Sequence, residues 1–275
     1  MTPALTPRLL TIVVTTTLVA AAGAITFIAM RGAPAPAVRA PELELIGAHA
    51  FTSAQVRVAI AGVESPLLDE HGALDSDALE REMLLISAFY WDRGYVNVKV
   101  GAPRYDRERG VISVPVDEGQ RFTMGSITIT GELLASEASH LAMIRVRPGM
   151  VFSRKMIATD REALSTFYAD RSYAYVTVLP LTKIDLDAKT IDLTFEIERG
   201  QPATFERIDV VAKTPAGEAA IRNQLAVSAG QPYNETRLLG TKQRALALGL
   251  FRDIAISTKR GSRDDLVVAS IEEVE

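Results

Sequence analysis

The chain has no cysteine in 275 residues. That excludes disulfide staples, thiolate metal sites, a cysteine nucleophile and the acylated cysteine of a bacterial lipoprotein. Histidine is almost as scarce. His49, His71 and His140 stand far apart, without the spacing that would set two imidazoles on one metal. There is no surplus of positive charge either. Lys and Arg number 30 against 34 Asp and Glu, interspersed as on an ordinary solvated surface, so the clustered basic face that nucleic acid requires is missing. No serine sits in a Gly-x-Ser-x-Gly elbow, and the glycines fall at turns and helix ends rather than in a phosphate-cradling loop. Asp185 and Asp187 read as solvated turn residues. These absences speak against an enzyme, and no cofactor, metal, nucleic acid or small-molecule substrate is expected.

Long apolar runs are also absent, with one exception. Leu9 to Met30 crosses 22 residues without a charge, longer than the ~7–15 residues of a secretory h-region and near the ~20 of a spanning helix. Length favours a retained N-terminal hydrophobic helix, whereas Ala35-Pro36-Ala37 offers the small-x-small pattern of a cleaved signal. The flanking Arg8, Arg31 and Arg39 do not choose between them. Either reading exports the chain beyond about residue 40, and Gly32-Ala33-Pro34-Ala35-Pro36 reads as a linker. Residues 1–40 are thus expected to be an export or anchor segment.

What the chain does have is repetition. Phe89-Tyr90-Trp91-Asp92-Arg93-Gly94-Tyr95-Val96 recurs 78 residues later as Phe167-Tyr168-Ala169-Asp170-Arg171-Ser172-Tyr173-Ala174. A repeat of this period points to small modules that bury the same faces in the same way. Each copy opens on an alternating strand: Leu43 to Gly47, Ile127 to Gly131, and Phe205 to Val211. A short helix comes next, from near Thr52, Ser136 or Thr214. Thr52 with Gln55 fits a capping box, and Thr214-Pro215 an N-cap with proline at N1. A second helix is capped by Asp75, Ser153 or Asn234 and ends at Gly94, Ser172 or Gly249. Leu79, Met83, Ile86 and Tyr90 form its apolar face. Ile157, Leu164 and Tyr168 repeat that face, with Arg161 replacing one apolar residue. Two strands close each unit: Tyr95–Val100 and Val111–Val116, Tyr173–Leu179 and Ile191–Ile197, Phe251–Thr258 and Leu266–Ile271. If the closing strand is central in its sheet, Pro115 predicts a bulge or a distorted first copy. The phenylalanine–tyrosine pairs read as core. Asp92-Arg93 and Asp170-Arg171 read as solvated turns, and Trp91, without a counterpart in the second copy, as a mild hint of an interface.

Three copies of β-α-α-β-β, with the "G-x-x-aromatic-S/N", "F-Y-x-x-R-G-Y" and "I-E-x-G" phrases, resemble the POTRA domain of the outer-membrane barrel-assembly (surface antigen) family. The resemblance spans residues 41 to 275. It implies an α+β chain of three tandem POTRA-like modules (41–120, 121–200 and 201–275), each a three-stranded mixed sheet covered by two helices. The third closing strand ends at Glu275, as expected either of a fragment of a longer protein or of a member without the barrel, and Val274 stands where the other copies close on glycine.

By this resemblance the modules bind polypeptide and catalyse nothing. The implied route is β-augmentation, in which an exposed edge strand pairs its backbone with an extended partner. The second strand of each copy would offer that edge: Val96, Asn97, Val98 and Lys99; Ala174, Tyr175, Val176 and Thr177; Arg252, Asp253, Ile254 and Ala255. Side chains would anchor in the groove between that strand and the second helix. Lys99 and Arg252 could instead be gatekeepers. The expected partners are unfolded outer-membrane proteins or assembly-complex subunits, in the periplasm of a Gram-negative envelope, with a membrane reached through the N-terminal segment or a missing barrel. The alternative is an inner-membrane-anchored interaction module with no part in barrel insertion.

Overall fold

The computed structural model describes residues 41–61, 67–68 and 73–274; Leu9–Met30 and the linker lie outside them. Among the described residues no helix is long and apolar enough to cross a membrane.

The elements follow the repeat. Module 1 comprises β1 (Glu42–Ile46), α1 (Ser53–Ile60), α2 (Ser76–Trp91), β2 (Lys99–Val100), β3 (Arg104–Asp106) and β4 (Val111–Asp117). Module 2 comprises β5 (Thr123–Gly131), α3 (Glu137–Met143), α4 (Arg154–Ala169), β6 (Thr177–Asp185) and β7 (Thr190–Glu198). Module 3 comprises β8 (Thr204–Val211), α5 (Pro215–Arg222), α6 (Glu235–Leu246), β9 (Asp253–Arg260) and β10 (Leu266–Val274). In each sheet the last strand is central, parallel to the first and antiparallel to the second. Alternation decides which face meets the helices. Ile191, Leu193, Phe195 and Ile197 are buried on one side of β7, while Asp192, Thr194, Glu196 and Glu198 face outward. The buried side chains form three separate clusters, one per module, so each sandwich has its own core.

The caps are those that the sequence predicts. Thr52 and Gln55 close a capping box, and Ser136, Thr214, Asp75, Ser153 and Asn234 all accept from first-turn amides. Gly94, Ser172 and Gly249 take the left-handed conformation just past the second helix. Tyr95 N and Tyr173 N reach back to the carbonyls of Tyr90 and Tyr168 at 3.0 and 3.1 Å, which makes both ends Schellman motifs. Ser172 has a Cβ at φ +79° where Gly94 has none. Ser172→Gly is therefore expected to raise stability by about 0.5–1 kcal/mol, read as a higher denaturant midpoint at unchanged slope.

Module 1 departs from the expected three strands, for the reason Pro115 announces. Val100 pairs with Val116 and Arg104 with Ser113, so three residues of the edge oppose two of β4. Gly101 N donates to Pro115 O at 2.8 Å. Pro115 has no N–H to return the bond. The ladder lapses across Gly101–Pro103 and resumes one residue out of step, so the edge of module 1 is two short pieces, β2 and β3.

The repeated Asp-Arg pair has a use that the sequence reading did not anticipate: it joins the modules. Arg93 and Arg171 fold back over the rings of Phe89 and Phe167, 3.6 and 3.7 Å from the centroids, and donate to those residues' carbonyls. The aspartates reach forward instead. Asp92 Oδ1 accepts from Lys155 N at 2.8 Å, in the first turn of α4. Asp170 Oδ1 accepts from Thr236 N at 2.8 Å and its Oδ2 from Thr236 Oγ1 at 2.7 Å, in the first turn of α6. Ser153 and Asn234 satisfy the next amide of the same turns, so each helix N-terminus is capped by two modules jointly. The backbone continues the joint: Phe122 N donates to Gly94 O and Ala203 N to Ser172 O. In α2 the module's own Asp75 accepts from both Asp77 N and Ala78 N. At the third helix end the aspartate's place is taken by Ala247.

Candidate functional site

A three-stranded sheet has two edges, and in modules 1 and 2 the first-strand edge is partly closed. Leu45 N of β1 donates to Ser53 Oγ at 2.9 Å, and Ile129 N of β5 to Glu137 Oε1 at 3.0 Å. Both acceptors come from the start of the next helix, where a short connection brings them alongside. The second-strand edges lack such cover, but differ in quality. That of module 1 is interrupted. In module 3, β9 ends in Lys259-Arg260, and its first residue, Asp253, is bonded to Lys242 Nζ at 2.7 Å. The Lys242 ammonium holds the Asp253 carboxyl below the usual range.

The edge of module 2 is the longest of the three. β6 runs nine residues in unbroken register with β7. Only Val178 is buried, whereas Leu179, Leu181 and Ile184 are 41 %, 49 % and 47 % exposed. Pro180 pairs with Phe195 in mid-strand without shifting the register. A proline fits there when its nitrogen faces away from the neighbouring strand. Residues two apart share that orientation, so the amides of Val178, Thr182 and Ile184 also point outward. Among the described residues no side chain bonds them. Pro180 takes one donor out of this row but keeps its carbonyl.

The same even-numbered residues flank a groove of about 530 Å³. Pro180, Thr182 and Ile184 form one wall, and Phe152, Ile157, Arg154 and Arg161 of the α4 side the other. Module 1 closes one end with Trp91 and Val96. Arg154 stacks on the indole, 4.7 Å from the ring centre. Trp91 is there because Asp92, the next residue, is fastened to the N-terminus of α4.

The twelve residues proposed from the sequence divide unevenly. Lys99, Thr177, Asp253, Ile254 and Ala255 lie in edge strands. Val96, Asn97, Ala174 and Tyr175 lie in turns, Val98 and Val176 just after them, and Arg252 in a bend. The strands start late because another turn succeeds the Schellman end, with Val98 N bonded to Tyr95 O and Val176 N to Tyr173 O, both at 3.3 Å. The turn residues pack forward. Val96 meets the core of module 2, and Ala174 and Tyr175 that of module 3. Tyr175 Oη also donates to Leu266 O at 2.7 Å. Sequence reasoning missed Thr182 and Ile184 because it ended the strand at Leu179, before Pro180, and Leu181-Thr182-Lys183-Ile184 has no alternation to extend it.

Of the phenylalanine–tyrosine pairs, Phe89, Tyr90 and Tyr168 are buried, as expected, and Phe167 is half-buried against the module 2 core. Tyr90 Oη donates to Glu118 Oε1 at 2.9 Å, and burial with that carboxylate pushes the phenol upward. Tyr168 Oη lies 2.8 Å from His140 Nε2. Ser136 O can only accept, so His140 Nδ1 donates to it. His140 is thus a wholly buried, fully bonded core residue.

Three helix-covered mixed sheets, each built on the order β-α-α-β-β, give the chain the fold of tandem POTRA domains. Residues 122–200 match the family model of the POTRA repeat, "Surface antigen variable number repeat". In particular, the chain is similar to the outer membrane protein assembly factor BamA. It is 25% identical over 206 residues to BamA of Nitratidesulfovibrio vulgaris, covering 72% of this chain and 26% of that relative. The BamA of Neisseria meningitidis is 23% identical over 181 residues, 63% of this chain and 22% of that protein. The chain thus spans about a quarter of the length of these curated relatives. The crystal structure of BamA POTRA3-5 from Haemophilus influenzae shares the fold, with a TM-score of 0.69 at 19% identity, over 86% of this chain and 95% of that one.

Proposed function

We propose that this protein is a non-catalytic POTRA scaffold of a Gram-negative cell envelope, which docks extended polypeptide by strand addition to the edge of module 2. The similarity to outer membrane protein assembly factors supports a periplasmic setting. It also supports partners drawn from unfolded outer-membrane proteins or from subunits of an assembly complex. One observation carries the reading: β6 has a long row of outward backbone groups, bonded by no described side chain, beside an apolar groove. Backbone pairing tolerates many sequences, which suits a handler of varied clients. Three modules with their own cores, joined by capping aspartates, would hold this edge at a set position along the array.

Amide hydrogen exchange tests the proposal. With an unfolded outer-membrane polypeptide present, the amides of Val178, Thr182 and Ile184 are expected to slow by about tenfold or more, while those of Leu45 and Ile129 stay unchanged. Equal protection at all edges, or none at β6, would remove module 2 from the role.

A further inference from the structure

We infer that the groove beside β6 selects extended segments in which two carboxylates flank an apolar residue on one strand face, the pattern acid-x-apolar-x-acid. This inference rests on the proposed strand docking at the same edge.

The groove's charge is one-sided. Arg154 and Arg161 line it, together with apolar side chains and Thr182, and no carboxylate does. Arg154 stacks on Trp91 and has no carboxylate partner among the described residues. Arg161 meets only Glu162, its neighbour on α4, at 3.6 Å with both side chains at least half exposed. Such a pair is weak and easily exchanged.

Comparison between the copies sharpens the point. Met83 of α2, at the position of Arg161, packs on the module 1 core. Lys242 of α6, also at that position, is matched by Asp253, the first residue of its own edge strand. The first residue of β6 is Thr177, which carries no charge. Module 3 therefore neutralises its cation internally, while module 2 leaves its cation toward the β6 edge.

The spacing comes from the helix. Arg161 lies seven positions after Arg154, which is two turns or about 10 Å along α4. On an extended partner, residues i and i+4 share a face and lie about 13 Å apart, within reach of two long arginine side chains. The residue between them, at i+2, would enter the groove against Ile157 and Ile191, with Trp91 at its end.

Trp91 is the chain's single tryptophan, so its emission reports occupancy of this groove. The full-length chain would be titrated with three peptides: Thr-Glu-Thr-Phe-Thr-Glu-Thr, its Lys-for-Glu counterpart, and the isomer Thr-Thr-Glu-Phe-Glu-Thr-Thr, which has the same charge but puts the acids on the other face. The first is expected to bind roughly tenfold more tightly than the other two, with the gap to the Lys peptide closing near 0.5 M salt. The double variant Arg154→Gln, Arg161→Gln is expected to bind all three alike, with an unchanged circular-dichroism spectrum. Equal binding of the isomer, or of the Lys peptide, by the native chain overturns the inference and leaves strand docking standing, provided that the Thr182 and Ile184 amides still become protected. Absence of both the emission change and the protection with every peptide overturns the docking reading, and the inference with it.

Discussion

Thr182→Pro is expected to weaken polypeptide binding at module 2 by roughly tenfold while leaving the module folded. The substitution repeats, two residues further on, what Pro180 already does. It removes an outward N–H and places a ring where a partner strand must approach. One lost backbone bond is worth about 0.5–1.5 kcal/mol, and the steric block adds to it. Lys183→Pro is the control with the opposite signature. Its N–H faces β7, so the ladder itself loses a bond, and thermal unfolding is expected to report a loss of about 1–3 kcal/mol. Calorimetric titration with an unfolded outer-membrane polypeptide, run beside thermal melts of both variants, separates the two effects. Normal binding by folded Thr182→Pro would show that β6 is not the edge in use.

Asp170→Ala is expected to loosen module 3 from module 2. It deletes both bonds to Thr236, one to the amide and one to the hydroxyl. The first turn of α6 then keeps only Asn234 as its cap. A lost capping residue costs about 0.5–2 kcal/mol. Calorimetry is expected to resolve a separate, earlier transition for module 3, and small-angle scattering a broader distance distribution. Asp92→Ala should act in the same sense but more weakly, since its contact to Ser153 Oγ is 3.3 Å and only the Lys155 amide bond is short. A double-mutant cycle of Asp170→Ala with Thr236→Val isolates the coupling, expected near ~1 kcal/mol. A coupling of zero would mean that the hydroxyl bond adds nothing and that the amide bond alone carries the aspartate's share of the joint.

These aspartates show where reading the sequence was strong and where it stopped. The repeat made Asp92 and Asp170 conspicuous, yet a charged residue just past a helix reads as solvated, because its partner amide lies more than 60 residues away. Pro115 was recognised as misplaced in a central strand, but only the register shows the ladder lapsing at Gly101–Pro103. Pro180 misled in the other direction. It ended the second strand at Leu179, whereas β6 continues to Asp185 because proline is tolerated on an edge. Trp91 drew notice as an unmatched aromatic. Its place in the lining of a groove belonging to the next module depends on how two modules meet.

The sequence by itself determined the number of modules, their order of elements and their capping residues. Those features rest on interactions within a few residues: alternation of apolar side chains, a hydroxyl or carboxylate reaching the third amide, a left-handed residue past a helix. Only the tertiary structure decided how long each edge runs, which amides point outward and which module supplies each wall of the groove. These depend on strand register and on contacts between distant segments, and neither propensity nor periodicity along one stretch of chain carries that information.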